Sequence, residues 1–330
     1  MGRVLYPGGM DDIEVRELRY FVAVAEELNF TRAAERLGMT QPPLSRAIRH
    51  TERRLGVQLF ERTNRQVTLT AAGVTLLEEG RNALDVMCAV ARRTRRAAVA
   101  DPALVVTAKP GVATGLLLRI VESYSALAAT PQVEIAVSGY REQTDMVRDG
   151  RADLALLSVP YDRRGLDGQP LTNEPRVAAL PVNHELARRG FLRCSDLDGE
   201  AMPQWRDSSH AERVYWSGRD GGVAASGTIE PQPAAPVHGP VVSDSAQLLE
   251  VVSLGQAVAL IPLSLADRNP RPDIAYRPVR DASPYTIAIV WPEAARAHAI
   301  AVFVRTAINL AAQEHSAVHT SSQAHGSAVA

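Results

Sequence analysis

Along residues 14–28, EVRELRYFVAVAEEL, the apolar positions Leu18, Phe21, Val22, Ala25 and Leu28 recur at helical spacing, with Glu26 and Glu27 off the stripe. Asn29-Phe30 interrupts the pattern. Thr31 has the chemistry of an N-cap for a short helix to Leu37, which turns Ala33, Ala34 and Leu37 inward; Gly38 can take the left-handed conformation that stops it. Met39-Thr40-Gln41 makes a tight turn, and a second helix runs from about Pro42 to Leu55 and ends at Gly56. Two prolines are tolerated there because first-turn N–H groups have no intrahelical partner. Two helices joined by a short glycine-containing turn have the helix-turn-helix shape. Leu44, Ile48 and Leu55 share the inward face of the second helix, while Pro42, Ser45, Arg46, Arg49 and Arg53 lie opposite. A hydroxyl and three guanidiniums suit a DNA major groove, where Arg can fork onto guanine; a merely solvated helix surface has the same periodicity. Thr51 falls on the inward stripe, where its hydroxyl can bond back to a carbonyl.

Leu59-Phe60 and Val67-Leu69 fit two short strands around the turn Thr63-Asn64-Arg65-Gln66, either a wing that brings Arg62 and Arg65 to phosphate or minor groove, or an ordinary hairpin. Thr70 can cap a helix from Ala71 to about Arg96. In it Leu77, Leu84 and Ala91 recur at seven, with Leu76, Met87 and Cys88 beside them. A two-helix coiled coil, hence a dimer through Leu77, Leu84, Met87 and Ala91, explains that seam, and so does burial against its own domain.

From Leu104 the texture changes to short strands alternating with helices. Strands over 104–107, 133–137 and 152–157 alternate with helices over 111–124 and 142–149, an order that implies a parallel sheet covered on both faces. A second set follows: strands at 176–182, 258–261, 274–276 and 286–290, and helices at 247–254 and 294–311. Segment 217–236, SGRDGGVAASGTIEPQPAAP, reads as a long loop, and the tail from about Gln313 lacks periodicity.

The net charge of −1 hides an asymmetry. Residues 14–98 hold 15 Arg against 10 Asp and Glu, and residues 99–330 hold 20 Lys and Arg against 25 acids. A basic head on an acidic body is what a nucleic-acid-binding domain joined to a different module looks like. Thirty-five of the 36 cations are Arg; Lys109 is the one lysine. Cys88 and Cys194 build no disulfide framework and lack CxxC partners, which points to a reducing compartment and to two inert thiols. No secretory h-region and no run of about 18 apolar residues occurs, so a soluble cytoplasmic protein without a membrane contact is expected. GxGxxG, GxxxxGK[ST], HExxH and GxSxG are all missing, and the eight His are scattered, His298, His315, His319 and His325 lying at or beyond the last helix; an enzyme, a metal site and a cofactor are not expected.

The stretch LRYFVAVAEELNFTRAAERLGMTQPPLSRAIRHTERRLGVQLFERTNRQVTLTAAG resembles, motif by motif over residues 14–98, the N-terminal domain of LysR-type transcriptional regulators. F-x-x-V-A-E, N-F-T-R-A-A-E-R-L, T-Q-P-x-L-S-R-x-I-R, L-G-V-x-L-F-x-R and L-T-x-A-G stand in that family's order and spacing, with Thr51 in place of the usual Leu and Pro43 in place of Ala or Ser. The later pieces Gly139 to Leu156 and Leu248 to Pro262 carry a weaker likeness. The resemblance implies α/β architecture with an all-α, winged helix-turn-helix N-terminal domain and a C-terminal two-lobed, periplasmic-binding-protein-like α/β domain. The expected division is a flexible extension at 1–12, the DNA-binding domain at 13–70, a dimerisation helix at 71–98, and an effector-binding domain at 102–312. Its lobe I covers about 102–159 and 265–312 and lobe II about 160–264; residues 313–330 form a disordered tail.

By resemblance, Gln41, Pro42, Ser45 and Arg46 match positions that touch base edges, and Thr31, Arg49 and Arg65 positions near phosphate or minor groove. The family's effector pocket implies the turn Lys109, Gly111, Val112, Ala113 and Thr114, then Tyr140 and Arg141, and from the opposite lobe Ser243 and Asp244, with Arg206 as a further candidate. A helix N-terminus beside Lys109 suits an anionic metabolite such as a carboxylate, although Lys109 also fits an exposed lysine next to an ordinary cap. The partners implied are double-stranded promoter DNA, a small-molecule effector and further copies of the chain, as homodimer and homotetramer. The competing reading is a metabolite-binding protein or enzyme whose basic head serves assembly.

Overall fold

The structure, a computed structural model, describes residues 13–63, 66–109, 111, 113–206, 208–218 and 237–326. It divides into two bodies, one of the residues up to Ala98 with Arg148–Gly150, the other from Val99 to Val147 and from Arg151 onward.

In the first body, α1 (Val15–Glu27), α2 (Phe30–Arg36) and α3 (Gln41–Leu55) bury the stripes their spacing predicts: Phe21, Val22, Val24, Ala33, Ala34, Leu44 and Ile48 form one core with Leu59 and Phe60. Helix α2 starts one residue before the position assigned from sequence. Asn29, and not Thr31, is its cap: the Asn29 side-chain oxygen accepts from the N–H groups of Thr31 and Arg32, because Asn at the extended position reaches both orphan donors. Thr51 is buried and donates to the Ala47 carbonyl at 3.1 Å, so the hydroxyl on the inward stripe is satisfied within its own helix. Strands β1 (Phe60–Arg62) and β2 (Val67–Leu69) pair antiparallel as the wing.

Helix α4 (Ala71–Ala97) is capped by Thr70. Its Leu77 and Leu84 pack against the core of their own body, whereas Met87 and Ala91 are exposed. The seven-residue seam is therefore two faces: a helix of period 3.6 drifts around its axis, so its N-terminal half serves the domain and its C-terminal half leaves Val86, Met87 and Val90 bare, each about half exposed.

In the second body, β3 (Leu104–Ala108), β4 (Val133–Val137) and β5 (Leu154–Ser158) form the expected parallel unit, joined by α5 (Thr114–Ser125) and α6 (Glu142–Arg148). The sheet does not stay parallel. Strand β6 (Leu166–Glu174) is a missed element; it pairs antiparallel with β12 (Tyr285–Pro292), and β12 pairs antiparallel with β5, giving the order β4-β3-β5-β12-β6. All five residues of β3 are buried, as an inner strand covered on both faces requires. The second sheet is antiparallel throughout, with β7 (Arg176–Pro181) between β10 (Ala259–Pro262) and β11 (Ile274–Pro278). Beside it lie β8 (Ala201–Trp205) and β9 (Val237–Val242), a parallel pair, and the helices α7 (His210–Trp216), α8 (Ser245–Ser253) and α9 (Leu263–Arg268).

These pairings correct the lobe boundaries. Residues 166–174 belong to the first sheet and 274–278 to the second, so the chain changes sheet at Pro175 and again between Pro278 and Tyr285. The tail is corrected as well. Helix α10 (His298–Gly326) runs past Gln313, since the sequence offers no Gly or Pro to stop it before Gly326.

Gly73 marks the tightest constraint on the first body. A β-carbon there would stand 2.1 Å from the Leu59 carbonyl oxygen and 2.9 Å from Leu69 Cδ2, where α4 crosses the strand entering the wing. Gly73→Ala is expected to destabilise that body by about 1–3 kcal/mol, because the obstacle is backbone and cannot rotate away; a thermal midpoint equal to or above wild type in differential scanning calorimetry would refute the close approach.

Candidate functional site

Two places gather chemistry. The first is the outer side of α3. Gln41, Pro42, Arg46 and Arg49 are exposed and Ser45 half-buried, along one face from the first turn onward. Four acids of this body are spent on other arginines and on backbone. Glu26 holds Arg36 at 2.7 Å and Arg81 at 2.8 Å, and Glu27 reaches Arg32 and Arg36. Glu17 pairs with Arg54 at 3.1 Å and meets His50 Nδ1 at 3.2 Å, tying α1 to α3. Burial alone raises the Glu17 carboxyl; the Glu14 N–H, Arg54 and His50 outweigh it and hold the group below its ordinary value. Glu52 accepts from the N–H groups of Leu59 and Phe60 and pairs with Arg62 at 2.9 Å, so the end of α3 and the wing strand are one piece. Arg46, Arg49 and Arg53 make no ion pair or hydrogen bond among the described residues, which leaves their guanidiniums available. Thr31 is exposed on α2; Arg65 lies outside the described residues.

The second place is a cavity of about 290 Å³ in the second body. The first sheet supplies Lys109 from the end of β3, Leu157 and Ser158 from β5, and Tyr285 from β12; α6 and the turn before it supply Tyr140, Arg141, Gln143 and Thr144. Pro160, Tyr161 and Asp162 close one side, and α7 with its cap supplies Ser209, Glu212 and Trp216. Thr107 donates to Ser138, and Gln143 donates to Ser138 and to the Gly139 carbonyl, fixing the turn on which Tyr140 and Arg141 stand. Arg141 takes φ 67°, outside the region favoured by a residue with a β-carbon, and its guanidinium meets Glu212 at 3.3 Å.

Lys109 Nζ lies 4.6 Å from the ring centre of Tyr140 and 4.2 Å from that of Trp205, whose rings stack at 4.3 Å. It has no hydrogen bond or ion pair among the described residues, and its charge is stabilised by ring quadrupoles and by the more distant field of Asp244. Burial outweighs that field and brings the amine down to about 8. Burial also pushes up the phenols of Tyr140 and Tyr285, so both remain neutral donors.

Residues 15–74 match the model of the bacterial regulatory helix-turn-helix protein, lysR family, and residues 98–312 that of the LysR substrate binding domain. The chain belongs to the LysR family of transcriptional regulators. Among LysR relatives, the Hca operon transcriptional activator HcaR of Escherichia coli K12 is 36% identical over 187 residues, 57% of this chain; the match spans 63% of HcaR, less than two thirds of its length. The regulator BudR of Raoultella terrigena is 30% identical over 307 residues, covering 88% of this chain and 99% of BudR. The crystal structure of the LysR family regulator CbnR superposes with a TM-score of 0.52 at 25% identity, over 91% of this chain and 99% of that one.

Of the sequence-derived effector residues in this LysR chain, Lys109, Tyr140 and Arg141 line the cavity. Gly111, Ala113 and Thr114 stand behind it at the start of α5, and Val112 lies outside the described residues. Asp244 caps α8 by accepting from Gln247, the Ser243 N–H donates to the Gln247 side chain, and Arg206 is exposed; none of the three is on the cavity wall. The wall that sequence reasoning missed comes from α6, β5, the segment after it, β12 and α7; α7 left the least trace. That helix is seven residues long, too short for a periodic signal, and its one legible mark is the capping box Ser209-x-x-Glu212. Since Lys109 is the only lysine, selective ¹³C labelling of lysine should give one side-chain signal, titrating near pH 8; a midpoint at 10 or above would mean that the amine is solvated rather than enclosed.

Proposed function

We propose that the protein is a sequence-specific, DNA-binding transcriptional regulator controlled by a small anionic metabolite, and that it is not an enzyme. The observation that carries the DNA reading is the sorting of charge in the first body: Glu17, Glu26, Glu27 and Glu52 are engaged in fixing helices and wing, while Arg46, Arg49 and Arg53 stand unpaired on one exposed helix face. Helix α3 enters the major groove with Gln41, Pro42, Ser45 and Arg46 toward base edges, and Thr31 and Arg49 toward phosphates. The wing, anchored through Glu52, follows the same helix.

Two copies pair through the bare end of α4, whose Val86, Met87 and Val90 are the apolar side chains available for it, and place two α3 helices on two half-sites. A homotetramer of two such dimers bends the DNA. Such a protein works in the cytoplasm; none of the described helices is long and apolar enough to cross a membrane. The effector occupies the cavity between the first sheet and α7, its carboxylate on Lys109. It shifts promoter occupancy only insofar as it binds one arrangement of the chain better than another.

The test is footprinting on the DNA upstream of the protein's own gene and its divergent neighbour, at two salt concentrations and with random competitor. Wild type should give a discrete protected site that survives competitor and weakens with salt. Arg46→Ala should lose about 1–3 kcal/mol of specific binding while its non-specific binding falls much less. Equal losses on specific and random DNA would remove Arg46 from base readout, and binding no better than to random DNA across a genomic fragment library would sink the regulator reading.

A further inference from the structure

The inference concerns the ligand of the cavity and rests on the reading that this cavity holds the effector. Four ionisable side chains apart from tyrosine reach its wall: Lys109, Arg141, Asp162 and Glu212. Three of the four charges are already matched. Asp162 lies at the open rim, accepts the Arg164 N–H at 3.0 Å and has the Arg164 guanidinium 3.7 Å away. Glu212 is only 8% exposed. One of its oxygens accepts the Ser209 N–H at 2.8 Å and stands 3.3 Å from Arg141. Lys109 is the remaining charge, held by rings and facing no carboxylate at contact distance.

We propose that the cavity is built for a ligand bearing one negative charge on a compact apolar body, and that Glu212 is the residue that sets the number at one. The single carboxylate meets Lys109, the only cation at the wall without a bound acid. A second carboxylate has only Arg141 to turn to. Taking Arg141 strips the counter-charge from a buried Glu212, and the resulting pair of like charges beside a buried carboxylate is unfavourable. The body of the ligand is set by the Tyr140, Tyr161, Trp216 and Tyr285 side chains and by a volume of about 290 Å³, at the lower end of the range of about 300–1,000 Å³ usual for small-molecule sites. A compact monocarboxylate with an aromatic or short aliphatic body meets these terms.

The experiment uses the full-length protein and two matched series: benzoate, terephthalate and benzamide, then hexanoate, adipate and hexanamide. Binding is read by tryptophan fluorescence, since Trp205 and Trp216 are two of the three tryptophans and both adjoin the site, and by the thermal midpoint. In at least one series the monoacid should bind about tenfold or more tighter than both its dicarboxylate and its amide, as expected of one charge-assisted contact. Glu212→Gln keeps the helix cap, because a Gln side chain accepts the same N–H, and it removes the negative charge that a second carboxylate would meet; the ratio of monoacid to dicarboxylate affinity should fall by about tenfold or invert. Lys109→Met should erase the preference for acid over amide.

A wild-type protein that binds the dicarboxylate more tightly overturns the inference and leaves the cavity as the effector site. So does an unmoved ratio in Glu212→Gln at an unchanged thermal midpoint, or an amide that binds as well as the acid. No response to any of the six compounds overturns the inference and counts equally against the effector reading of this cavity.

Discussion

An ammonium group removed from water needs something to stabilise it, and in the second body that something is aromatic rather than acidic. Lys109 lies over two stacked rings, Tyr140 and Trp205, and lacks a carboxylate at contact distance. Much of the surrounding architecture follows from keeping it so. The turn that carries Tyr140 is pinned by the buried Thr107–Ser138–Gln143 hydrogen bonds. Glu212, on the same cavity wall, is tied down by its own helix cap and by Arg141, and Asp244, whose field reaches Lys109, accepts the Gln247 N–H at the start of α8. Ring faces give a buried ammonium electrostatic stabilisation without a carboxylate beside it.

The first body solves the opposite problem. Many guanidiniums must sit close together without repelling the fold apart, yet some must stay free to meet a polyanion. Carboxylates on α1, and Glu52 near the end of α3, neutralise the arginines that face inward or sideways, and the acids stop short of the outer face of α3. The same pairs fix helix angles, so electrostatic order and mechanical order have one source. Each exposed pair contributes little by itself, about 0–1 kcal/mol; their arrangement decides where positive potential emerges.

How far this was legible in the sequence depends on the length scale of the signal. Helices α1, α3 and α4 bury apolar positions at a period of 3.6, and an ordered run of motifs carried the family, so the first body was readable almost residue by residue. The outward set on α3 is exposed, Ser45 in part, as its spacing implied. The cap assignment went astray where two residues competed for one role, Asn29 against Thr31, and on α4 the burial of Leu77 and Leu84 against their own domain is the alternative the spacing had left open. In the second body the strands with continuous apolar runs were found. Strands β6, β8 and β9 were not, since Leu166–Glu174 and Val237–Val242 are half-exposed and rich in polar residues, proline or glycine. Lys109, Tyr140 and Arg141 reached the cavity because they follow recognisable strand ends. Glu212 and Trp216 come from a seven-residue helix brought there by tertiary packing, which no local pattern announces.

The replacement of nearly every lysine by arginine has a consequence beyond salt bridges. Guanidiniums do not act as nucleophiles at ordinary pH, so chemistry directed at side-chain amines finds a single address in this chain, and that address is inside the cavity. An amine-directed reagent small enough to enter the cavity would therefore label one position, and the yield at that one nitrogen would report how far the wall is shielded.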